Sequence, residues 1–370
     1  MKVVVMVSMS PLQFDSRIDR EASSLVDEGY EVHVLGLGPI PENRPWNPIQ
    51  VGAVRELKSS TRKRSSILWR VLKYLSLVPY RYTKRKNFVH RVREQIRGFT
   101  VIDILHAHDL PALEAVKPFY EKFLLIYDSH ELWTGRNLRG LGSRFELLRD
   151  KRIEAVGVQF ASSVLTVSDQ LATELATRFG REVNVVRNTF PVSSEKPPKE
   201  VNYLAYAGNI SAGRDLATVF EGALKARTEI RLMGRNISDF DLKSSLVVFD
   251  HGTVEEAGKF LRNGGIAVVS LESGIENHLR ALPNKLLQAI AEGVPVVASN
   301  LPAIAQIVRS NNLGALYEPG DSDSFAKAVR QVCENYPIYV ENTLNARDAL
   351  SWNIDSKLLQ SIYENIRTEQ

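Results

Sequence analysis

The stretch Ala281-Leu-Pro-Asn-Lys-Leu-Leu-Gln-Ala-Ile-Ala-Glu-Gly-Val-Pro-Val-Val-Ala-Ser299 predicts a helix that leads into a buried strand. Its apolar residues at 286, 287 and 290 recur at helical spacing, and Gly293 is typical of the residue just after a helix end. The apolar run over 294–298 is typical of a strand in a parallel sheet, buried on both faces. A helix joined in this way to a strand is the repeating unit of a doubly wound α/β fold.

The start of this helix also has the chemistry of a phosphate site. Pro283 suits the first helical turn, where a backbone N–H would have no partner. Free N–H groups and the helix dipole favour a bound anion at this end, and Lys285 adds a full positive charge. An ordinary helix–strand unit without a ligand explains the same residues, so both interpretations stay open at this point.

The same alternation of strands and helices runs through both halves of the chain and predicts two parallel sheets. A polar, proline-rich stretch over 191–199 is typical of a linker between them. We therefore expect an N-terminal Rossmann-like domain over 1–190, a linker over 191–200, a second Rossmann-like domain over 201–350 and a final helix over 351–370. The predicted strands are 3–7, 31–35, 102–106, 124–128, 163–167 and 184–188 in the first half, and 202–207, 230–233, 246–249, 266–270, 295–299 and 314–317 in the second.

The composition is that of an ordinary globular protein. The chain has 370 residues, of which 44% are hydrophobic and 24% charged, which is enough for two domains. No apolar run approaches the roughly 20 residues of a membrane span, and the run over 1–8 is too short for a signal-peptide core, so we expect a cytoplasmic location. The single cysteine, Cys333, excludes an intrachain disulfide and a cysteine-rich zinc site. Its helical surroundings predict a buried packing role.

Positive charge is concentrated in one segment. From Arg55 to Arg97 there are fourteen Lys or Arg and two Glu, a local charge of +12, whereas the whole chain carries +4. Trp69, Tyr74, Tyr80 and several leucines are interleaved with these cations. This combination predicts contact with an anionic membrane surface, where each nearby cation contributes about 1 kcal/mol. A solvated pair of basic helices packed on its own domain is the alternative, and we expect no nucleic-acid partner.

Several motifs occur in the order found in one enzyme family. The stretch 281–299 resembles the donor-site signature of retaining family 4 glycosyltransferases of the GT-B architecture (glycosyl transferases group 1). Phe14-Asp-Ser-Arg17, Asp103-Ile-Leu-His-Ala-His-Asp-Leu-Pro111 and Tyr127-Asp-Ser-His-Glu-Leu132 resemble the family's first three strand–loop signatures. Gln288 departs from the pattern, because the family usually has a glutamate there.

This resemblance implies an architecture and an activity. It implies a GT-B fold, in which two Rossmann-like domains face each other across a cleft and the final helix crosses back to the first domain. It implies transfer of a sugar, with retention, from a UDP- or GDP-linked donor, without a cofactor and without a metal ion. The leaving diphosphate would be stabilised by cations and a helix start rather than by a pair of catalytic carboxylates.

Histidines and carboxylates of the first half follow strand ends, where ligands of open α/β sheets bind. The resemblance assigns His130 a catalytic role close to the reacting carbon of the donor sugar. The residues expected to contact the acceptor are Asp15, Arg17, His106, His108, Asp109 and Glu131. On composition alone, His106, His108 and Asp109 could bind zinc, but no further ligand occurs at a supporting spacing. Packing inside the domain explains the same side chains.

The second half supplies the expected donor site. A strand runs into the glycine-rich turn 206–215, whose backbone could approach a diphosphate closely. Arg214 and Lys285 are the expected cations for the leaving diphosphate, and both are assigned with His130 to the catalytic group. The other expected donor contacts are Gly208, Asn209, Gly234, Arg235, Glu276, Asn284 and Gln288, and the segments 233–236 and 251–253 are expected near the base.

These observations favour a glycosyltransferase of glycan or polysaccharide biosynthesis. We expect it at the inner face of the membrane, transferring to a lipid-linked or other saccharide acceptor. Two alternatives stay open, because Gln288 and Asn209 both depart from the family pattern. One is a catalytically silent subunit that binds a nucleotide sugar, and the other is an epimerase of the same fold. A dehydrogenase is disfavoured, since no Gly-x-Gly-x-x-Gly follows the first strand.

Overall fold

The computed structural model describes residues 1–53, 84–135, 143–236, 247–250 and 252–368, without the side chains of 143–145 and 367. The chain divides into two compact units. Unit 1 comprises Met1–Thr166, Ala172–Val185 and Leu359–Gln370, and unit 2 comprises Val167–Leu171 and Val186–Leu358. The predicted domain bounds of 1–190 and 201–350, with the linker between them, stay predictions.

Unit 1 is built on a parallel sheet of seven strands. Its order is β3-β2-β1-β4-β5-β6-β7, and each neighbouring pair is parallel. The strands are β1 (Val3–Pro11), β2 (Glu31–Gly38), β3 (Asn47–Ala53), β4 (Ile104–His108), β5 (Leu124–Ser129), β6 (Ser163–Thr166) and β7 (Asn184–Val185). The helices between them are α1 (Ser16–Asp27), α2 (84–98), α3 (Asp109–Val116), α4 (Ser143–Phe160) and α5 (Asp169–Phe179).

Unit 2 repeats the design with six parallel strands in the order β10-β9-β8-β11-β12-β13. This is the 3-2-1-4-5-6 order of a Rossmann sheet. The strands are β8 (Tyr203–Ala207), β9 (Ile230–Met233), β10 (Val247–Phe249), β11 (Gly265–Val269), β12 (Val296–Ser299) and β13 (Gly314–Tyr317). The helices are α6 (Leu216–Ala226), α7 (Val254–Gly264), α8 (Glu276–Arg280), α9 (Asn284–Ala291), α10 (Pro302–Asn311), α11 (Ser322–Glu334) and α12 (Tyr336–Ala346). The last helix, α13 (Trp352–Thr368), begins in unit 2 and ends in unit 1.

The predicted α/β fold with two parallel sheets is confirmed, with local differences. Strand β3 was not predicted, because Asn47-Pro-Ile-Gln-Val-Gly-Ala53 lacks a strand pattern and carries a proline, which only an edge strand tolerates. Strand β4 begins two residues later than predicted and includes His108. Helix α9 begins at Asn284, and Pro283 is its N-cap in an extended conformation. Cys333 is exposed, so the predicted buried role was wrong.

The alternation of side chains along β4 and β5 places the polar residues on one face of the first sheet. Leu105 and Ala107 pack into the hydrophobic core cluster that also contains Tyr127. His106 and His108 point to the opposite face, and His108 pairs in register with Asp128 of β5. Helix α1 lies over the sheet with buried Arg17 and Glu21, so these five polar side chains meet inside unit 1.

None of the helices in the described part of the chain is long and apolar enough to cross a bilayer.

Candidate functional site

Unit 1 contains a buried cluster of charges and histidines beneath helix α1. Arg17 is 2% exposed, and its Nε lies 2.9 Å from Glu21 Oε1 and 2.9 Å from Asp128 Oδ2. Its Nη2 lies 2.8 Å from the same Asp128 oxygen. The rings of His106 and His108 stack with their centroids 4.2 Å apart. The hydroxyl of Tyr363 in α13 lies 2.8 Å from His106 Nδ1. The fold thus brings together residues from four distant parts of the sequence.

His130 is the member of this group that reaches the surface. It follows β5, and its side chain is 21% exposed. Its Nε2 lies 3.1 Å from Asp128 Oδ2 and 3.1 Å from His108 Nδ1. Its backbone N–H donates to Asp109 Oδ1 at 3.0 Å, and Asp109 Oδ2 lies 3.7 Å from Nδ1. Two carboxylates therefore orient the imidazole from opposite ends.

The two carboxylates also set the charge of His130. Burial acts to lower the pKa of this imidazole, but Asp109 and Asp128 outweigh it and raise the pKa to about 9. Burial acts to raise the pKa of Asp128, yet Arg17 and His130 hold it well below its usual range. His130 is therefore an imidazolium at neutral pH, paired with an ionised Asp128. Burial and then His108 lower the pKa of His106 well below 6.5, so His106 is neutral.

The same cluster contains residue types that bind metal ions. One ligand atom from each of Glu21, His106, His108 and Asp128 lies within 4.8 Å of the others. However, the Arg17 guanidinium already contacts both carboxylates. The cluster therefore contains its own cation, and a divalent ion would have to bind against a fixed positive charge. The side chains present do not fit a resident metal.

The remaining predicted acceptor residues lie at the same edge of the first sheet. Asp15 is the N-cap of α1, because its Oδ1 accepts from the Ile18 N–H at 3.2 Å. Its other oxygen accepts from the Ser10 hydroxyl. The Glu131 carbonyl accepts from the Ser129 hydroxyl at 3.0 Å, which holds the loop that carries His130. The structure brings Arg17, His106, His108, Asp109 and His130 into one group, with Asp15 and Glu131 in the flanking loops.

In unit 2 the predicted phosphate turn follows strand β8. Gly208 has φ +136° and Gly213 has φ +84°, both in the region that favours glycine. Asp215, at φ +52°, ends the turn, and its carboxylate accepts from the Thr218 hydroxyl at 2.6 Å, the Tyr317 hydroxyl at 3.0 Å and the Gly320 N–H at 3.1 Å. Three bonds to one buried carboxylate fix the position of the neighbouring Arg214.

Lys285 extends from the start of α9 to this turn. A Cβ built on Gly208 would lie 2.6 Å from Lys285 Cε, so only glycine leaves room for the lysine. The Nζ atom lies 3.8 Å above the Tyr206 ring. It is shielded from solvent and has no hydrogen-bond acceptor among the described residues. Burial, and then the charge of Arg214, lower the pKa of Lys285 well below 10.5.

The start of α9 adds further hydrogen-bond donors for a bound anion. Pro283 gives the helix no side-chain cap, and the neighbouring Asn284 accepts from the Asn188 side chain at 2.8 Å through its Oδ1. An uncapped helix start, a buried amine and a cationic turn meet here. An anion with several oxygens could contact all three at once.

The other residues predicted to bind the sugar donor differ in burial and in their contacts. Gly234 packs so closely on the turn that a Cβ there would lie 2.1 Å from the Gly208 carbonyl oxygen. Asn209 and Arg235 are exposed. Gln288 is 8% exposed, and its Nε2 donates to the Val254 carbonyl at 2.7 Å. Glu276 pairs with Arg280 at 3.3 Å.

The segment 251–253, predicted near the base, is only partly covered. His251 lies outside the described residues. Thr253 is the N-cap of α7 and forms a capping box with Glu256.

Sequence reasoning assigned no role to five residues of these two groups. Glu21 and Asp128 were not singled out, although a carboxylate inside an apolar strand such as Leu124–Ser129 signals a buried partner. Tyr206 and Asp215 adjoin the predicted turn, but their contacts involve residues about 80 to 105 positions away. Glu272 is the fifth, and its Oε1 accepts from the Gly213 N–H of the turn at 3.2 Å.

The predicted basic surface from Arg55 to Arg97 lies mostly outside the described residues, which resume at Lys84. In the described part, Arg85 is buried and pairs with Glu114 at 2.5 Å and with Asp150 at 2.9 Å. Arg93 donates to the carbonyls of Ala115 and Glu114. Some of these cations therefore hold α2 to the fold and are not available to a membrane.

Part of unit 2 resembles a known enzyme family in sequence. Residues 202–335 match the sequence family described as Glycosyl transferases group 1. A phosphatidyl-myo-inositol mannosyltransferase of Mycobacterium leprae is 31% identical over 86 residues, which span 22% of this chain and 23% of that protein. The match thus covers about a quarter of the length of this curated relative.

Solved structures resemble the whole chain. A sucrose-phosphate synthase from Thermosynechococcus elongatus has a TM-score of 0.72 at 12% identity and covers 100% of both chains. The Anabaena protein HepE, solved in complex with UDP, has a TM-score of 0.68 at 14% identity, also over 100% of both chains. A glycosyltransferase from Rickettsia africae has a TM-score of 0.64 at 13% identity over 100% of this chain and 99% of its own. The chain therefore has the GT-B fold of these structures, and its residues 202–335 resemble the group 1 glycosyl transferases in sequence.

Proposed function

We propose that this protein is a glycosyltransferase that moves a sugar from a nucleoside diphosphate sugar to an acceptor hydroxyl. The observation that carries the proposal is the buried Lys285 amine, which has no acceptor among the described residues and lies beside Gly208. A buried, unpartnered amine costs free energy unless an anion binds there. The diphosphate of a nucleotide sugar supplies that anion.

In the proposed mechanism, cations of unit 2 stabilise the leaving diphosphate. As the bond between the sugar and the diphosphate lengthens, negative charge grows on the departing oxygen. Lys285, Arg214 and the start of α9 stabilise that charge, so the reaction needs no bound metal. The acceptor hydroxyl attacks from the face that the diphosphate leaves, and passes its proton to the departing phosphate oxygen. The sugar therefore keeps its anomeric configuration.

For His130 we propose the role that the family resemblance implies, a hydrogen bond to the donor sugar. Its imidazolium is held by Asp128 and Asp109, which lets it donate a hydrogen bond to the donor sugar without competing for the transferred proton. We place the acceptor at the loops that carry Asp15, Asp109 and Glu131. A saccharide linked to a lipid at the cytoplasmic face of a membrane is the acceptor that the basic segment from Arg55 to Arg97 favours.

Calorimetry with UDP and GDP tests the site. Lys285→Ala and Arg214→Ala should each weaken binding about 10- to 150-fold, because a charge-assisted hydrogen bond contributes about 1.5–3 kcal/mol. Lys225→Ala is the matched control, since that lysine is an exposed partner of Glu221 and Asp323. Unchanged affinity in both site variants would refute the site.

Turnover assays with UDP- and GDP-linked sugars test the reaction. We expect donor cleavage that depends on an acceptor, continues in EDTA and falls in His130→Ala, with a product of retained configuration by NMR. Loss of turnover in EDTA that a divalent ion restores would contradict the mechanism. Binding without any turnover would instead favour a silent subunit, and isomerisation without an acceptor would favour an epimerase.

A further inference from the structure

Tyr206 contacts two separate parts of the phosphate turn. Its ring lies 3.8 Å beneath Lys285 Nζ, and its hydroxyl donates to the Asn209 carbonyl at 2.8 Å. The side chain is fully buried. Burial raises the pKa of Tyr206 to about 12, so the hydroxyl keeps its proton and remains a donor.

Among the described residues, the Tyr206 ring gives the Lys285 amine a favourable electrostatic contact. Two titratable groups face this amine, Arg214 from the turn, which repels it, and His278 from α8. Burial, followed by the charges of Arg214 and Lys285, lowers the pKa of His278. No carboxylate within hydrogen-bonding distance is present among the described residues. The negative face of an aromatic ring attracts an ammonium, and most strongly where water is excluded.

The hydroxyl acts on the other side of the same site. Asn209 follows Gly208, whose backbone at φ +136° opens the space that Lys285 occupies. By donating to the Asn209 carbonyl, the Tyr206 hydroxyl restrains the backbone of the turn next to Gly208. One side chain thus fixes both the amine and the backbone of the turn.

We propose that Tyr206 is a positioning residue of the phosphate site, which holds Lys285 and the Gly208–Asn209 turn ready for the diphosphate before it binds. This inference rests on the proposed function of the site. It does not require Tyr206 to touch the nucleotide. The proposal predicts that replacing Tyr206 changes the affinity for the nucleoside diphosphate and the number of protons taken up when it binds.

The test compares Tyr206 with Tyr203 of the same strand. Tyr203 also lies beneath a cation, with Arg231 Cζ 4.2 Å from its ring, and it also donates to a backbone carbonyl, that of Phe260 at 3.1 Å. Tyr203→Leu therefore removes the same kinds of contact away from the turn. Binding of UDP and GDP is measured by calorimetry at pH 8, where the diphosphate is fully ionised. Measurements in two buffers of different ionisation heat give the number of protons that the complex takes up on binding.

Tyr206→Leu should weaken binding about tenfold. It should also increase proton uptake on binding. Without the Tyr206 ring, the Lys285 amine is more often neutral in the empty site and takes up a proton when the diphosphate binds. Tyr206→Phe keeps the ring, so it should weaken binding about threefold through loss of the Asn209 bond and leave proton uptake unchanged. Tyr203→Leu should alter neither quantity.

Two results overturn the inference. One is affinity in Tyr206→Leu and Tyr206→Phe equal to that of the wild type, and the other is proton uptake in Tyr206→Leu that equals or falls below the wild-type value. If Tyr206→Leu does not fold, the affinity of Tyr206→Phe decides. Absence of binding by the wild-type protein would refute the proposed function itself, which is a different outcome.

Discussion

A methyl group at Gly208 should disable the phosphate site while leaving the fold intact. The Cβ of Gly208→Ala would lie 2.6 Å from Lys285 Cε and 3.4 Å from its Nζ. Ordinary carbon–carbon contacts lie at about 3.5–4.0 Å, so Cε must retreat by roughly 1 Å. The amine then leaves its place above the Tyr206 ring. Because the clash is with the flexible end of a side chain, the strand itself need not move.

Two separate costs follow from this change. Alanine at φ +136° loses about 1–3 kcal/mol of stability through backbone strain. Displacement of the amine should remove its charge-assisted contact with the diphosphate, worth about 1.5–3 kcal/mol, or about 10- to 150-fold in affinity. Urea denaturation measures the first quantity, and calorimetry with UDP and GDP measures the second.

Gly29→Ala is the matched control. Gly29 has φ +84°, but a Cβ there meets nothing within 4 Å, and the residue lies in unit 1. It should lose stability through strain without any change in nucleotide affinity. The reasoning is refuted if Gly208→Ala folds and binds the nucleotide as tightly as Gly29→Ala.

Three further predictions follow from other contacts. Gln288→Glu, which introduces the residue usual in the resembling family, should lower the free energy of unfolding by about 1–3 kcal/mol, because a carboxylate cannot donate to the Val254 carbonyl and leaves a buried acceptor unpaired; an unchanged free energy of unfolding by urea denaturation would contradict this. The pKa of His130 is raised to about 9 in the folded protein from about 6.5 when unfolded, so its stabilisation is complete below pH 6.5 and is lost as the pH rises through 9. Urea denaturation across this range should show the decline, and His130→Gln should flatten it; a decline of the same size in the variant would disprove the assignment. Replacing Arg62, Lys63, Arg64, Lys84 and Lys86 with glutamine should abolish flotation with anionic liposomes, an interaction that should also weaken at 1 M salt, where screening shortens to about 3 Å. As a contrast, Arg85→Gln should lower the melting temperature, because it breaks buried pairs with Glu114 and Asp150. If the wild-type protein does not bind anionic liposomes at low salt, the lipid-linked acceptor loses its support.

Local patterns were sufficient for most of the secondary structure. Short apolar runs followed by helical periodicity predicted the strands of the described residues other than β3, including β8, β9 and β12 of the second sheet. Strand β3 escaped prediction because it is an edge strand with Pro48, and its pairing with β2 compensates for a poor local pattern. The start of α9 was predicted to within a residue, since Pro283 and Gly293 mark its ends.

The candidate sites were predictable only in part. Lys285 could be singled out because a lysine just after a helix start has a clear use in phosphate binding. His106 was expected at the acceptor, yet it is fully buried, and its Nδ1 meets a tyrosine hydroxyl 257 positions away. The amide of Gln288 looked like a weakened ribose contact. The structure gives that amide a donor role toward Val254, which a glutamate could not fill.

By itself, the sequence determined what depends on neighbours along the chain: the alternation of strands and helices, the glycine turn after β8, and the residue types able to bind a diphosphate. Only the tertiary structure decided which side chains share a buried environment. The parallel sheet sets His108 beside Asp128, helix α1 adds Arg17 and Glu21, and Tyr206 meets Lys285 across 79 positions. The physical reason is that charge states and orphaned polar atoms depend on burial and on distances across the fold. Those distances have no fixed relation to spacing in the sequence.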